Sequence, residues 1–242
     1  MTNFIAPPPA QGLVKLRGRI SHYQSTHGWA SFVFTENDQT TMGVIAIAAA
    51  AAGLGGQAAG IAASASAMEE AADYVEFQLD GQPVKGWVWR SPFNEGDAVE
   101  VAAEWQRDHY EAFGIARPAD RTIALYPHCS RGSLRHYRNA VKWWVVGGIG
   151  FCALAGALML SAIGLEGLLS EEMLVGAAAS FAFFAIMTWS LTRKWMPFVR
   201  LAERVFKALE LPHPGNVDLV STSKAQRTAE DPGEFGTFYF RY

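Results

Sequence analysis

The residues best suited to chemistry in this chain are His128-Cys129-Ser130-Arg131-Gly132-Ser133-Leu134-Arg135, a cysteine with five residues between it and an arginine. A loop of that spacing can gather backbone N–H groups and a guanidinium around a phosphate while a thiolate of lowered pKa attacks phosphorus. A short strand at 122–126 precedes the loop and a helix follows it. Cys129 and Arg135 are therefore the catalytic candidates. A plainer reading competes: Pro127 turns the chain, and the arginines form a basic patch.

The H-C-x5-R pattern is that of protein tyrosine phosphatases, and this sequence departs from the family. That family has a largely parallel central sheet, whereas the region before Cys129 alternates like an antiparallel one. Its loop continues with Ser or Thr after the arginine, and here His136 stands there. Asp97 and Asp108 are the nearest candidates for a general acid, and neither has a distinctive spacing. The expectation is a protein that is not an enzyme.

Other chemical signals are weaker. His22, His27, His109, His128, His136 and His213 have no metal-ligand spacing. Asp73 with Glu76, and Glu95 with Asp97, read as solvated strand or turn residues. Phosphate-binding glycine loops and nucleophile elbows are absent. Trp87, Trp89, Trp105 and Phe93 suit either a stacked ligand or a barrel core, and the core reading is preferred. No cofactor and no metal are expected.

Two apolar runs must position whatever the loop does. Residues 143–165 and 173–192 hold 23 and 20 residues without a charge. At ~1.5 Å per residue each is long enough for a hydrocarbon core of ~30 Å. They read as a transmembrane hairpin. Arg131, Arg135, Arg138 and Lys142 precede it, Arg193 and Lys194 follow it, and the link carries Glu166, Glu171 and Glu172. That asymmetry puts both flanks on the cytoplasmic side of an inner membrane. Trp143, Trp144 and Trp195 stand at the inner ends, where aromatic belts form. Ala153, Ala157 and Gly156 recur at small-residue spacing and offer a close helix contact, within the hairpin or between copies in a homo-oligomer.

Before the hairpin, residues 13–130 read as a small antiparallel β-barrel or sandwich, OB-like by strand number and length. Strands are expected at 13–23, 29–35, 74–79, 83–89, 98–105, 110–116 and 122–126, with Asp80-Gly81 as a two-residue turn. Residues 43–68, uncharged and rich in Ala and Gly, read as a helical hairpin insertion, either packed on the barrel or inserted in lipid. Gly56 and Gly60 are its close-contact step. Residues 1–12 are expected to be disordered, and 131–142 to be a basic juxtamembrane segment. An amphipathic helix is expected at 195–211, then a loose polar tail over 212–242 with a last strand at 237–242. The fold class is thus α+β, a barrel followed by a membrane hairpin.

The formal charge is −3, which gives no general reason to expect nucleic acid as a partner. The two cysteines, Cys129 and Cys152, imply no disulfide framework. The first nine residues have neither a basic nor an apolar region, so a cleaved secretion signal is not expected.

Four strings carry a family resemblance: Val84-Lys85-Gly86-Trp87-Val88-Trp89-Arg90-Ser91-Pro92-Phe93; the continuation from Phe93 through Gly96, Asp97, Val99, Glu100 and Val101; Ile115-Ala116-Arg117-Pro118 with Asp120 and Arg121; and Leu125-Tyr126-Pro127-His128-Cys129-Ser130-Arg131-Gly132. Together they resemble a group of bacterial type VI secretion system effectors. The resemblance implies a role in antagonism between bacteria and a bilayer as target, with an immunity or secretion-apparatus protein as partner. It implies no site residues. With the resemblance, a membrane-depolarising effector is the expected function; the alternatives are a non-enzymatic inner-membrane protein that binds a partner, of immunity or adaptor type, which the residues alone favour, and a membrane-anchored Cys-dependent phosphatase.

Overall fold

The computed structural model describes residues 12–31, 69–168 and 170–242. The insertion at 43–68, with Gly56 and Gly60, lies outside the described residues, as do residues 1–11. The chain divides into two units, residues 1–127 with 222–242, and residues 128–221.

The first unit is a sheet of seven strands: β1 (Val14–Ser31), β2 (Glu69–Leu79), β3 (Gln82–Val88), β4 (Ala98–Trp105), β5 (Tyr110–Arg117), β6 (Thr122–Leu125) and β7 (Tyr239–Arg241). The order β3-β2-β1-β4-β5 closes on itself through β5 and β3, and β6 and β7 continue the sheet from β5. The result is a closed five-stranded barrel. Its closing pair, Val84 with Tyr110 and Lys85 with Glu111, is parallel. An antiparallel barrel was the sequence-based expectation, and parity corrects it. Five strands in a ring cannot all run opposite to both neighbours, so one pair must be parallel. That pair joins strands distant in sequence, with no hairpin turn to announce it. Gly86 makes the closure possible, because a Cβ there would run into the Ala112 carbonyl of β5 and lie 3.0 Å from its nitrogen.

β1 also differs from expectation. The strand expected at 13–23 runs on through the start of the one expected at 29–35, as one 18-residue strand to Ser31; residues 32–35 lie outside the described residues. Its register with β2 shifts between Ser21 and Gln24, and His22 has φ 54°. Such a bulge bends the strand and resets the alternation, which in sequence looks like a strand end. The turn at Asp80-Gly81 has positive φ at both residues, 49° and 86°, as a two-residue hairpin turn requires. Val75, Phe77, Val84, Val88, Val101 and Ile115 fill the barrel. Phe93 joins this core, while Trp87, Trp89 and Trp105 remain half-buried.

The second unit holds two long apolar helices, α1 (Ser133–Leu168) and α2 (Glu171–Ala208), then a 3-10 turn, Pro214–Asn216. α1 begins within the expected basic segment. It breaks helical geometry at Gly164, where φ is 73° and ψ −179°. α2 passes through Pro197 without interruption. The amphipathic helix expected at 195–211 is therefore the end of α2, with Val199, Ala202, Val205 and Phe206 on its buried face. The chain returns to the first unit through a short third helix, α3 (Leu219–Gln226). A loose tail had been expected here. Ser223, fully buried, instead accepts a 2.8 Å hydrogen bond from the Arg241 backbone N–H, which fixes the tail to β7.

Candidate functional site

The four distinctive strings resolve into structural junctions. In the third, the Arg117 guanidinium is saturated: Nε and Nη2 bond the two oxygens of Asp120 at 3.1 and 2.8 Å, and Nη1 reaches Asp97 at 2.6 Å and the Pro92 carbonyl at 3.3 Å. Its carbon end lies 5.6 Å from the Phe93 ring centre. Asp97 also accepts from the Asn94 N–H, beside Gly96 at φ 85°. Burial works to raise the Asp120 pKa, but the bonds from Arg117 and Thr122 outweigh it and bring it to about 2. Asp97 is thus a structural acceptor. Asp108 is exposed and bonds its neighbour His109 at 2.7 Å.

The first string ends in a second cluster. Asp73, expected to be solvated, is buried. It accepts from Arg90 at 3.0 Å, from the Ser91 N–H at 2.9 Å, and lies 2.9 Å from His27 Nδ1. Arg90 also contacts His27 directly and pairs with Glu234 at 3.2 Å. Residue types alone suggest a Ser-His-Asp arrangement here, but the geometry does not form one. Ser91 Oγ lies 2.5 Å from the Tyr23 hydroxyl, and the His27 ring contacts Asp73 and Arg90 instead. Periodicity gives no sign of this cluster, because its members come from β1, β2 and the segment after β3.

The fourth string sits at the base of the helical unit. Cys129 is buried, and its thiol donates to the Phe198 carbonyl at 3.5 Å. Burial pushes its pKa far up, against a weaker opposing effect of the Arg204 charge. A thiol held protonated is the reverse of what attack on phosphorus needs. Arg135 is engaged too. Its Nε donates to Asp218 at 2.8 Å, and Arg131 Nε donates to the other oxygen of the same carboxylate at 3.1 Å. Burial works to raise the Asp218 pKa, but these arginines and the Ser221 N–H hold it below the usual carboxylate range. A side chain at Gly132 would collide with the backbone of Pro214 and Gly215. Glu203 of α2 caps α1, accepting from the Ser133 N–H at 3.1 Å and its hydroxyl at 2.6 Å. α1 has no acidic residue in its own first turn, so Glu203 supplies the charge its N-terminus favours. The loop that spells H-C-x5-R is a clamp between the helix ends.

Beyond the clamp the helices expose large apolar side chains. Trp143, Leu154, Leu158, Val175, Phe183 and Ile186 are each about 60% exposed or more. Only 6% of the most apolar window of α1 is buried, and none of that of α2. The helices meet through rings: Trp144 with Phe181 at 4.8 Å and Phe151 with Phe184 at 5.1 Å. Gly148 admits Phe181. Ala153 and Ala157 are exposed, and a Cβ at Gly156 would meet nothing within 4 Å. Trp143 carries Lys142 5.8 Å from its ring centre, and Trp195 packs against His128 at 4.9 Å. Trp144 Nε1 is buried without a hydrogen-bond partner. Arg138, Lys142, Arg193 and Lys194 are exposed.

Among the described residues no group of His, Cys, Asp or Glu is placed to hold a metal. Comparison with protein-family models, curated proteins and solved structures finds no match.

Proposed function

We propose that α1 and α2 cross a bacterial inner membrane as a hairpin, and that the protein is a non-enzymatic membrane-anchored module whose barrel binds a partner on the cytoplasmic side. One observation carries this reading. β6 precedes the hairpin and β7 follows it, and they pair through Thr122–Arg241, Ile123–Phe240 and Ala124–Tyr239. Strands that pair must lie on one side of a bilayer, so the segment between them crosses an even number of times. Two uncharged runs satisfy that parity. The exposed apolar surface of both helices has no cover among the described residues, which in water is a severe liability. Trp143 stands exposed at the start of the first run, where Trp anchors lie.

The barrel is of OB type in this reading. Its pairing order and its single parallel pair between β3 and β5 support that assignment. OB barrels bind ligands on the face of strands 2 and 3. There Tyr74 and Trp87 stack at 5.1 Å among acidic groups. Burial raises the Tyr74 pKa, and Glu111 and Glu76 raise it further. An aromatic patch in acidic surroundings suits a protein partner better than a nucleic acid.

A second reading, a depolarising effector of type VI secretion acting as several copies, is favoured by the open helix faces. A Cβ at Gly147, Gly150 or Gly156 would meet nothing within 4 Å, which leaves room for another helix. Controlled expression with a membrane-potential dye separates the two. Normal growth, with the protein in the inner-membrane fraction and a partner co-purifying, is the expected result. Rapid depolarisation before growth arrest would replace it with the effector. Recovery in the soluble fraction would refute the hairpin itself.

A further inference from the structure

The end of α2 holds a cluster that neither the clamp nor the hairpin uses. Arg200, Arg204 and Lys207 follow one another at spacings of four and three, which places them on one helix face. With Pro197, Glu203 and Pro214 they line a cavity of about 740 Å³. All three cations are exposed, and none is held by a carboxylate among the described residues. Glu203 brings one negative charge to the lining but is bonded to the Ser133 N–H and hydroxyl rather than to the cations, so three positive charges face one negative and the lining stays net positive. The buried face of the same helix, Val199, Ala202, Val205 and Phe206, fixes which way the cations point.

Like charges at these spacings repel one another. Arg131 and Arg135 of the same unit are, by contrast, matched to Asp218. Three unmatched cations lining one cavity form a concentrated positive field in a chain of net charge −3. Arg200 and Lys207 are about 10 Å apart along the helix axis at ~1.5 Å per residue. That span fits more than one phosphate group, or one phosphate and a second anionic centre.

We propose that the Arg200–Arg204–Lys207 cavity binds a phosphate-bearing ligand. The two arginines take phosphate oxygens as planar forks, and Lys207 acts as a point charge. The same chemistry is offered by a soluble polyphosphate and by an anionic phospholipid headgroup. The inference does not rest on the membrane reading.

The test uses the full chain in neutral detergent. Inorganic tripolyphosphate is titrated by calorimetry, and retention of phosphatidylglycerol against phosphatidylcholine is followed by native mass spectrometry. Wild type is compared with the triple variant Arg200→Gln, Arg204→Gln, Lys207→Gln, and with Arg138→Gln, Lys142→Gln, Arg193→Gln as a charge-matched control. Far-UV circular dichroism checks folding, and the single variant Arg204→Lys tests the fork while keeping the charge. We expect at least a tenfold loss of binding in the triple variant, little in the control, and an intermediate loss in Arg204→Lys. Binding of tripolyphosphate alone assigns a soluble ligand. Binding of phosphatidylglycerol alone assigns a headgroup, and competition between the two assigns a shared site. Binding of neither probe, or equal binding by wild type and triple variant, overturns the proposal.

Discussion

Replacing Asp218 by alanine should open the base of the helical unit, and Cys129 reports the opening. The Asp218 side chain is only 10% exposed and accepts from Arg131 at 3.1 Å, Arg135 at 2.8 Å and the Ser221 N–H at 3.2 Å. A hydrogen bond to a charged group is worth about 1.5–3 kcal/mol net. Both arginines are partly solvated, at 34% and 39%, so the low end applies to each. Their sum is about 3 kcal/mol, which corresponds to roughly a hundredfold in a local opening equilibrium. The thiol of Cys129 is buried in the intact clamp, with Ser130 and Arg131 following it directly. In a Cys152→Ala background, so that one thiol reacts, maleimide labelling of the folded protein should speed up by about that factor in Asp218→Ala. Asp231→Ala removes a comparable ion pair, to Arg241, in the other unit and should leave the rate alone. Unchanged labelling of Cys129 in Asp218→Ala would refute the clamp.

Acid should weaken the barrel through Asp120. Its folded pKa of about 2 lies below the ordinary 3.8, so its stabilisation is complete above pH 3.8 and is lost as pH falls toward 2. The side chain is 44% exposed, so screening reduces the effect to about 1 kcal/mol or less. Asp120→Asn should flatten the pH dependence of the melting temperature in that window, and an unaltered slope would contradict the assignment. Gly86→Ala should cost the barrel about 1–3 kcal/mol by overpacking against Ala112, read by urea unfolding followed at the barrel tryptophans. A neutral effect would mean that β3 and β5 are not in contact. The full chain should show no aryl-phosphate hydrolysis that depends on Cys129; turnover abolished by Cys129→Ser would restore the phosphatase reading.

The sequence reveals those features that depend on local rules. The Asp80-Gly81 turn, β4 at 98–105 and the two apolar runs are each signalled by neighbouring residues, through turn chemistry or periodicity. Features that join distant residues are not. The parallel closure of β3 on β5 depends on Gly86 meeting Ala112, and Gly86 in sequence is only a small residue in a strand. Asp73 looks solvated in an alternating strand until Arg90 and Ser91 fold onto it. The Cys129 loop is the clearest case. Its spacing is that of a phosphate-binding loop, but burial decides the state of the thiol, and Asp218, far along the chain, decides what Arg131 and Arg135 do.

The pairing of β6 with β7 also sets an order of events at the ribosome. About a hundred residues, the whole helical unit among them, separate the two strands. At ~5–20 residues per second, β7 emerges some 5–20 s after β6. Through that interval β6 presents an open edge, the kind of surface on which chains join one another. If the apolar helices enter a bilayer as proposed, they can do so before the last strand emerges to dock, which would make insertion and the sealing of the sheet successive steps of one vectorial process. A nascent chain stalled in that interval would carry a nearly complete barrel whose final edge waits on the helical segment still being made.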